Sequence, residues 1–138
     1  MLIKEHTPKS RHLKNLSLAF IFGALISALG EGLLLLYKSF FDEKTALTLV
    51  SLSLIFIASL LTALGVFDRI ARHAGAGTLV PITGFSNAVT SQAIDAKSEG
   101  LVLGVGAKIF TIAGPVILFG ITAGIIYGVI YYLLGVIF

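Results

Sequence analysis

HAGAGTLVPITGFSNAVTSQAIDAKSEG, residues 73–100, is too apolar for an ordinary loop and too polar for a membrane span. Gly75, Gly77 and Pro81 punctuate its start. Glycine opens backbone conformations closed to other residues, and proline suits the first turn of a helix. From Ile82 the spacing predicts a helix. Thr83, Asn87, Ser91 and Asp95 recur every four residues with Ser86 and Thr90 beside them, while Phe85, Val89, Ala93 and Ala96 form an apolar side. Two dispositions fit this pattern. In the first the helix lies at the membrane interface with its polar side in water. In the second it re-enters the membrane and lines a wet cavity, since irregular backbone at that depth must be covered by protein or water. The amide hydrogens of Pro81 to Gly84 would then face an anion in that cavity.

On either side the chain turns apolar. Leu16 to Tyr37 matches the about 20 residues that cross a hydrocarbon core, and Lys14 and Tyr37 mark its interfaces. A polar turn from Lys38 to Lys44 leads to a second span, about Thr45 to Val66, so the two form an antiparallel hairpin. After Leu101 the chain stays apolar to Phe138, with Lys108 its only charge. That region is too long for one upright crossing at about 1.5 Å per residue. Gly114 and Pro115 suggest a break, leaving a short piece from Leu101 to Ala113 and a full span from Val116 to about Val136. The expected fold is therefore an all-α integral membrane protein. It has three full transmembrane helices, a re-entrant or interfacial helical segment over about 75–113, and within that region a short additional membrane helix. A basic arm, residues 1–14, precedes a single membrane domain, residues 15–138.

Composition agrees. Of 138 residues 57% are hydrophobic and 12% charged, half the charged share of an ordinary soluble domain, about 25%. The first apolar run is too long for the hydrophobic region of a signal peptide and lacks a small-residue cleavage site, so it is expected to remain as a span. Four basic residues precede it and Arg69 and Arg72 follow the second span, against two lysines in the turn, which predicts a cytoplasmic N-terminus. The net charge of +3 comes from the arm and reads as an orientation signal, with no basic stripe for nucleic acid. There is no cysteine, and His6, His12 and His73 are too scattered for a metal site. No nucleophile and base, phosphate loop or carboxylate pair stands at a spacing that supports covalent chemistry, so neither an enzyme nor a cofactor is expected.

Two charges lie inside apolar segments. Glu31, in ALGEGLL, would cost on the order of 2.5 kcal/mol or more if it faced lipid ionised and unpaired. Either it packs against another helix, with Gly30 and Gly32 allowing close approach, or it is a titratable group on a permeation path. Lys108, in VGAKIF, pairs with Glu31, lines a pore or snorkels to the interface. Gly120, Gly124 and Gly128 stand at four-residue spacing, a common helix-packing face.

Gly65 to Gly114, above all GAGTLVPITGFSNA and the following KSEG, resembles the SpoVAC/SpoVAEb family, the small membrane subunits of the SpoVA system of spore-forming bacteria. The basic N-terminus and GALISALGEG of the first span fit as well, so the resemblance covers nearly the whole chain. It implies a channel subunit in the spore inner membrane. Such a channel moves dipicolinic acid, as its calcium chelate, into the forespore during sporulation and out at germination. It also implies assembly as a homo-oligomer or, more in keeping with the family, a hetero-oligomer with other SpoVA subunits, including a SpoVAEb-like partner. A small aromatic dianion suits helix-terminal amides and hydroxyl-lined walls. Gly75 to Ser91 is then the expected constriction or substrate-contacting element, with Thr83, Ser86 and Asn87 as polar contacts. Ser91, Gly75, Gly77, Pro81, Glu31 and Lys108 complete the candidate pore residues.

Two other readings stay open on the sequence. One is a small proton-coupled multidrug-type transporter built on Glu31, against which stand the absence of tryptophan and the extra 75–100 segment. The other is a structural membrane subunit that conducts nothing.

Overall fold

Long apolar runs without a breaker make the first two helices, α1 (His12–Lys38) and α2 (Glu43–Ala63). The computed structural model describes residues 12–137, so the basic arm lies outside the described residues as far as residue 11. The protein is all-helical, with no strand among the described residues, and three helices are long and apolar enough to cross a membrane: α1, α2 and the stretch Leu101–Gly135. The chain divides into two compact units, Met1–Asn87 and Ala88–Phe138.

In the first unit α1 and α2 form the expected hairpin. Its turn is closed by the Phe40 and Phe41 amides, which donate to the Tyr37 carbonyl at 3.0 and 2.9 Å. Ala46, Leu54 and Ala58 are buried, and their four- and eight-residue spacing puts them on one face of α2. The position a Cβ of Gly30 would take lies 3.6 Å from Leu54. The Tyr37 and Ser53 hydroxyls, 2.8 Å apart, tie the helices together near the turn. Asp42 caps α2: its carboxylate accepts from the Thr45 hydroxyl at 2.6 Å and from the Thr45 amide at 3.2 Å.

These hydrogen bonds, the hydroxyl's first, hold the Asp42 carboxyl below its usual range. A depressed pKa contributes stability that is present above the unfolded value, near about 4. That contribution is lost as pH falls through the lower folded value. Asp42→Asn is therefore expected to remove part of the acid-side loss of stability, read as a smaller drop in melting temperature between about pH 5 and pH 2 in detergent.

The second span ends at Ala63, three residues short of the expected Val66, because Gly65 takes a left-handed turn (φ 68°). A further helix follows, α3 (Val66–Ala74), which the sequence was not expected to form. It is strongly amphipathic: Phe67 and Ala74 are buried and Ile70 half-buried, while Asp68, Arg69, Arg72 and His73 are exposed. Arg72 and Asp68 form an ion pair across one turn at 2.6 Å.

A 3-10 turn, Gly75–Thr78, then lies directly on α1. A Cβ at Gly77 would sit 2.9 Å from the Ala19 Cα and closer still to the Ala19 carbonyl oxygen, so only glycine lets these backbones meet. Helix α4 (Pro81–Asp95) begins at Pro81, as expected.

The second unit holds the end of α4, a 3-10 turn (Ala96–Glu99), a π-helical turn (Leu101–Gly106) and α5 (Ala107–Ile137). Here one expectation is corrected. Gly114 and Pro115 do not divide the third apolar region, since α5 runs through Pro115 without interruption. Proline costs the helix one backbone hydrogen bond and crowds the preceding turn; the additional clash with a Cβ on the residue before it is absent, because Gly114 has none. The helical piece expected to stand alone from Leu101 to Ala113 is thus the π-turn plus the first two turns of α5. At 31 residues α5 is about 46 Å long, well beyond a hydrocarbon core of about 30 Å. No described residue of α5 is buried.

Candidate functional site

The first unit contains a polar seam between the apolar helix α2 and the polar side of α4. Ser86 and Asn87 on α4 meet Ser59 and Thr62 on α2, which are three residues apart and so share a face. The Ser86 hydroxyl donates to the Ile55 carbonyl at 2.9 Å and lies 2.8 Å from the Ser59 hydroxyl. With its single proton committed to Ile55, Ser86 accepts from Ser59.

Thr62 Oγ1 lies 2.7 Å from the Ala58 carbonyl and 2.8 Å from Asn87 Oδ1. One hydroxyl proton does not serve two acceptors fully. Turning the Asn87 amide by 180° exchanges its oxygen and nitrogen. The NH2 group then donates to Thr62, and Thr62 donates to Ala58. Interhelical hydrogen bonds of this kind contribute about 0.6 kcal/mol each in membrane proteins.

Beside the seam lies an apolar pocket of about 260 Å³, lined by Phe22, Ile26, Leu54, Ile57 and Phe67 among others, with Thr78 and Thr83 its polar members. Both threonines are buried and bond to nearby backbone: Thr78 to the Gly75 carbonyl at 3.1 Å and Thr83 to the Val80 carbonyl at 3.3 Å. Among the described residues no buried side-chain polar atom lacks a partner.

The fold therefore brings Thr83, Ser86 and Asn87 together on the α2 side of α4, with Gly75, Gly77 and Pro81 forming the entry to that helix. Ser91 is half-buried and belongs to the second unit, as does Lys108, which is exposed. Glu31 is exposed on α1 and enters no ion pair among the described residues. Ser59 and Thr62 were not singled out from the sequence. Their signal was weak, because Thr48 and Ser51 on the same helix bond only to the carbonyl four residues back.

Cysteine substitution gives a direct check, since the chain has no native cysteine. Cysteines at Thr83 and Ser86 are expected to react slowly with a water-soluble maleimide, and cysteines at Leu79 and Phe85, both exposed, to report how far α4 meets water or lipid. Fast labelling at Ser86 in the resting protein would contradict a closed seam.

Comparison with known proteins agrees with these features. Residues 15–130 match the family model described as SpoVAC/SpoVAEB sporulation membrane protein. The chain is 48% identical over 130 residues to Stage V sporulation protein AC of Bacillus subtilis (strain 168), covering 93% of this chain and 87% of that protein. No solved structure matches significantly. A match over most of both chains, on a helical membrane fold with the glycine and proline entry to α4 in place, makes this chain a member of the SpoVAC/SpoVAEB family of sporulation membrane proteins.

Proposed function

We propose that this sporulation membrane protein is a subunit of a channel in the spore inner membrane that carries dipicolinic acid, as its calcium chelate, into the forespore and out again at germination. The single observation that carries the proposal is the seam: a hydroxyl and amide cluster held between α4 and the apolar helix α2. Polar groups at membrane depth are costly and concentrate where a solute or another helix needs them. In the closed arrangement α2 satisfies Ser86 and Asn87. A shift of α4 away from α2 frees Ser86 and Asn87 for the carboxylates of a dianion and uncovers Thr83 beside them, so closing and solute contact use the same groups. The path itself is formed with further copies or with a SpoVAEb-like partner, because a hairpin with one packed half-helix encloses no pore. The chemistry is passage only, with no covalent step.

The test is dipicolinate release from spores in which this chain supplies the subunit. Replacing Thr83, Ser86 and Asn87 with alanine or leucine is expected to change both loading and release. Wild-type behaviour of the triple variant, with normal amounts of protein in the membrane, would refute the assignment of these residues.

One observation favours a second reading. Glu31 stands exposed on a spanning helix, as a proton-coupled transporter would require. Efflux that depends on a proton gradient and disappears in Glu31→Gln would support that reading, and gradient-independent flux in the variant would exclude it.

A further inference from the structure

A second pocket, of about 580 Å³, opens between the first described turns of α1 and the end of α3, and plays no part in the seam. His12, Asn15, Arg72 and His73 supply its polar lining, and Leu13 and Leu16 part of its apolar lining. Among the described residues no carboxylate lines it. Asp68, one turn from Arg72, directs the guanidinium: Nε and Nη2 donate to the same Asp68 oxygen at 3.1 and 2.6 Å. Two of the five N–H groups are used in this way, and the other three remain to meet an acceptor. His73 Nδ1 is tied to the Arg69 carbonyl at 2.9 Å, which fixes the ring.

The pocket lies where a span begins, beside an amphipathic helix, so it belongs to the membrane–water boundary and not to the midplane. Its volume falls within the about 300–1,000 Å³ of small-molecule sites. About one to three turns further along α1 stand Phe22, Leu25, Ile26 and Leu29, which line the apolar pocket of about 260 Å³. A cationic pocket at the interface and an apolar groove on the same helix match a molecule with an anionic head and a hydrocarbon tail. Residues 1–11 carry Lys4, Lys9 and Arg11 against Glu5, so their charge has the same sign as the pocket and does not complement it. We infer that the pocket binds the head group of an anionic phospholipid, with Arg72 as its main phosphate contact and an acyl chain along α1. Basic pockets between membrane helices are known to hold such head groups.

The experiment uses the full chain, purified in neutral detergent and mixed with equal amounts of phosphatidylglycerol and phosphatidylcholine, with retained lipid counted by native mass spectrometry. Phosphatidylglycerol is expected to be retained in preference. Arg72→Gln is expected to lower its retention about fivefold, the effect of one basic residue near an anionic surface. Asp68→Asn breaks the same ion pair but keeps the cation, so it is expected to retain at least wild-type amounts. Equal retention of the two lipids would overturn the inference. So would an Arg72→Gln chain that retains as much as wild type, or a loss in Asp68→Asn as large as in Arg72→Gln. Displacement of the lipid by millimolar glycerol phosphate or dipicolinate would instead mark a site for free anions, which also overturns it.

Discussion

Gly77→Val is expected to leave little folded protein in the membrane. A Cβ at that position meets the Ala19 Cα at 2.9 Å and the Ala19 carbonyl carbon at 3.0 Å, and these are backbone atoms of a spanning helix. Overpacking a well-packed site costs about 1–3 kcal/mol where side chains yield, and here no side chain is available to yield. Gly77→Ala is expected to lower the melting temperature in detergent clearly and Gly77→Val to prevent recovery of monodisperse protein. Gly32→Ala is the control. Nothing lies within 4 Å of a Cβ at Gly32, and alanine is the better helix former, so no loss is expected there. Equal tolerance at Gly77 and Gly32 would show that the Gly75–Thr78 turn does not rest on α1.

The second large effect is expected at the seam. Ser86→Ala with Asn87→Leu removes the α4 side of the contacts with Ile55, Ser59 and Thr62. At about 0.6 kcal/mol per bond the loss of fold stability is modest. The loss for a passing dianion is larger, because a hydrogen bond to a charged group contributes about 1.5–3 kcal/mol. Dipicolinate flux is therefore expected to fall about tenfold or more while the melting temperature moves only a few degrees. Thr62→Val, which disturbs the seam from the α2 side and leaves α4 intact, is expected to loosen closure and raise resting leakage. If flux and stability fall together in both variants, the seam is structural only.

Much of this architecture was legible in the residues. Long apolar runs bounded by Lys14, Tyr37 and Asp68 delimit two spans to within a few positions, because hydrocarbon thickness leaves little freedom. Pro81 marks the start of α4 for the simple reason that a missing amide hydrogen costs nothing in a first turn. The four-residue spacing of Thr83 and Asn87 identified the polar side of that helix.

Other features were hidden by physics that a single segment does not express. Helix α3 was obscured because only Phe67, Ile70 and Ala74 carry its apolar face and the charges around them resemble the end of a span. Pro115 suggested a break, yet α5 continues through it, and Gly114 relieves only the part of the crowding that a Cβ before proline would add. The partners of Ser86 and Asn87 lie 25 to 31 residues away. A serine or threonine in a span offers the same sequence signal whether it bonds across helices or to its own backbone. Glu31 stood out in the sequence as a charge inside an apolar run, and the structure leaves it exposed on α1.

The most direct test is dipicolinate efflux from liposomes holding the purified chain, with and without a SpoVAEb-type subunit, compared between wild type and the Ser86→Ala, Asn87→Leu variant. Efflux from wild-type liposomes, with the partner if one is needed, and its reduction by about tenfold or more in the variant is the expected result. Liposomes that stay closed to dipicolinate in both settings, or that release it equally from wild type and variant, would contradict the account.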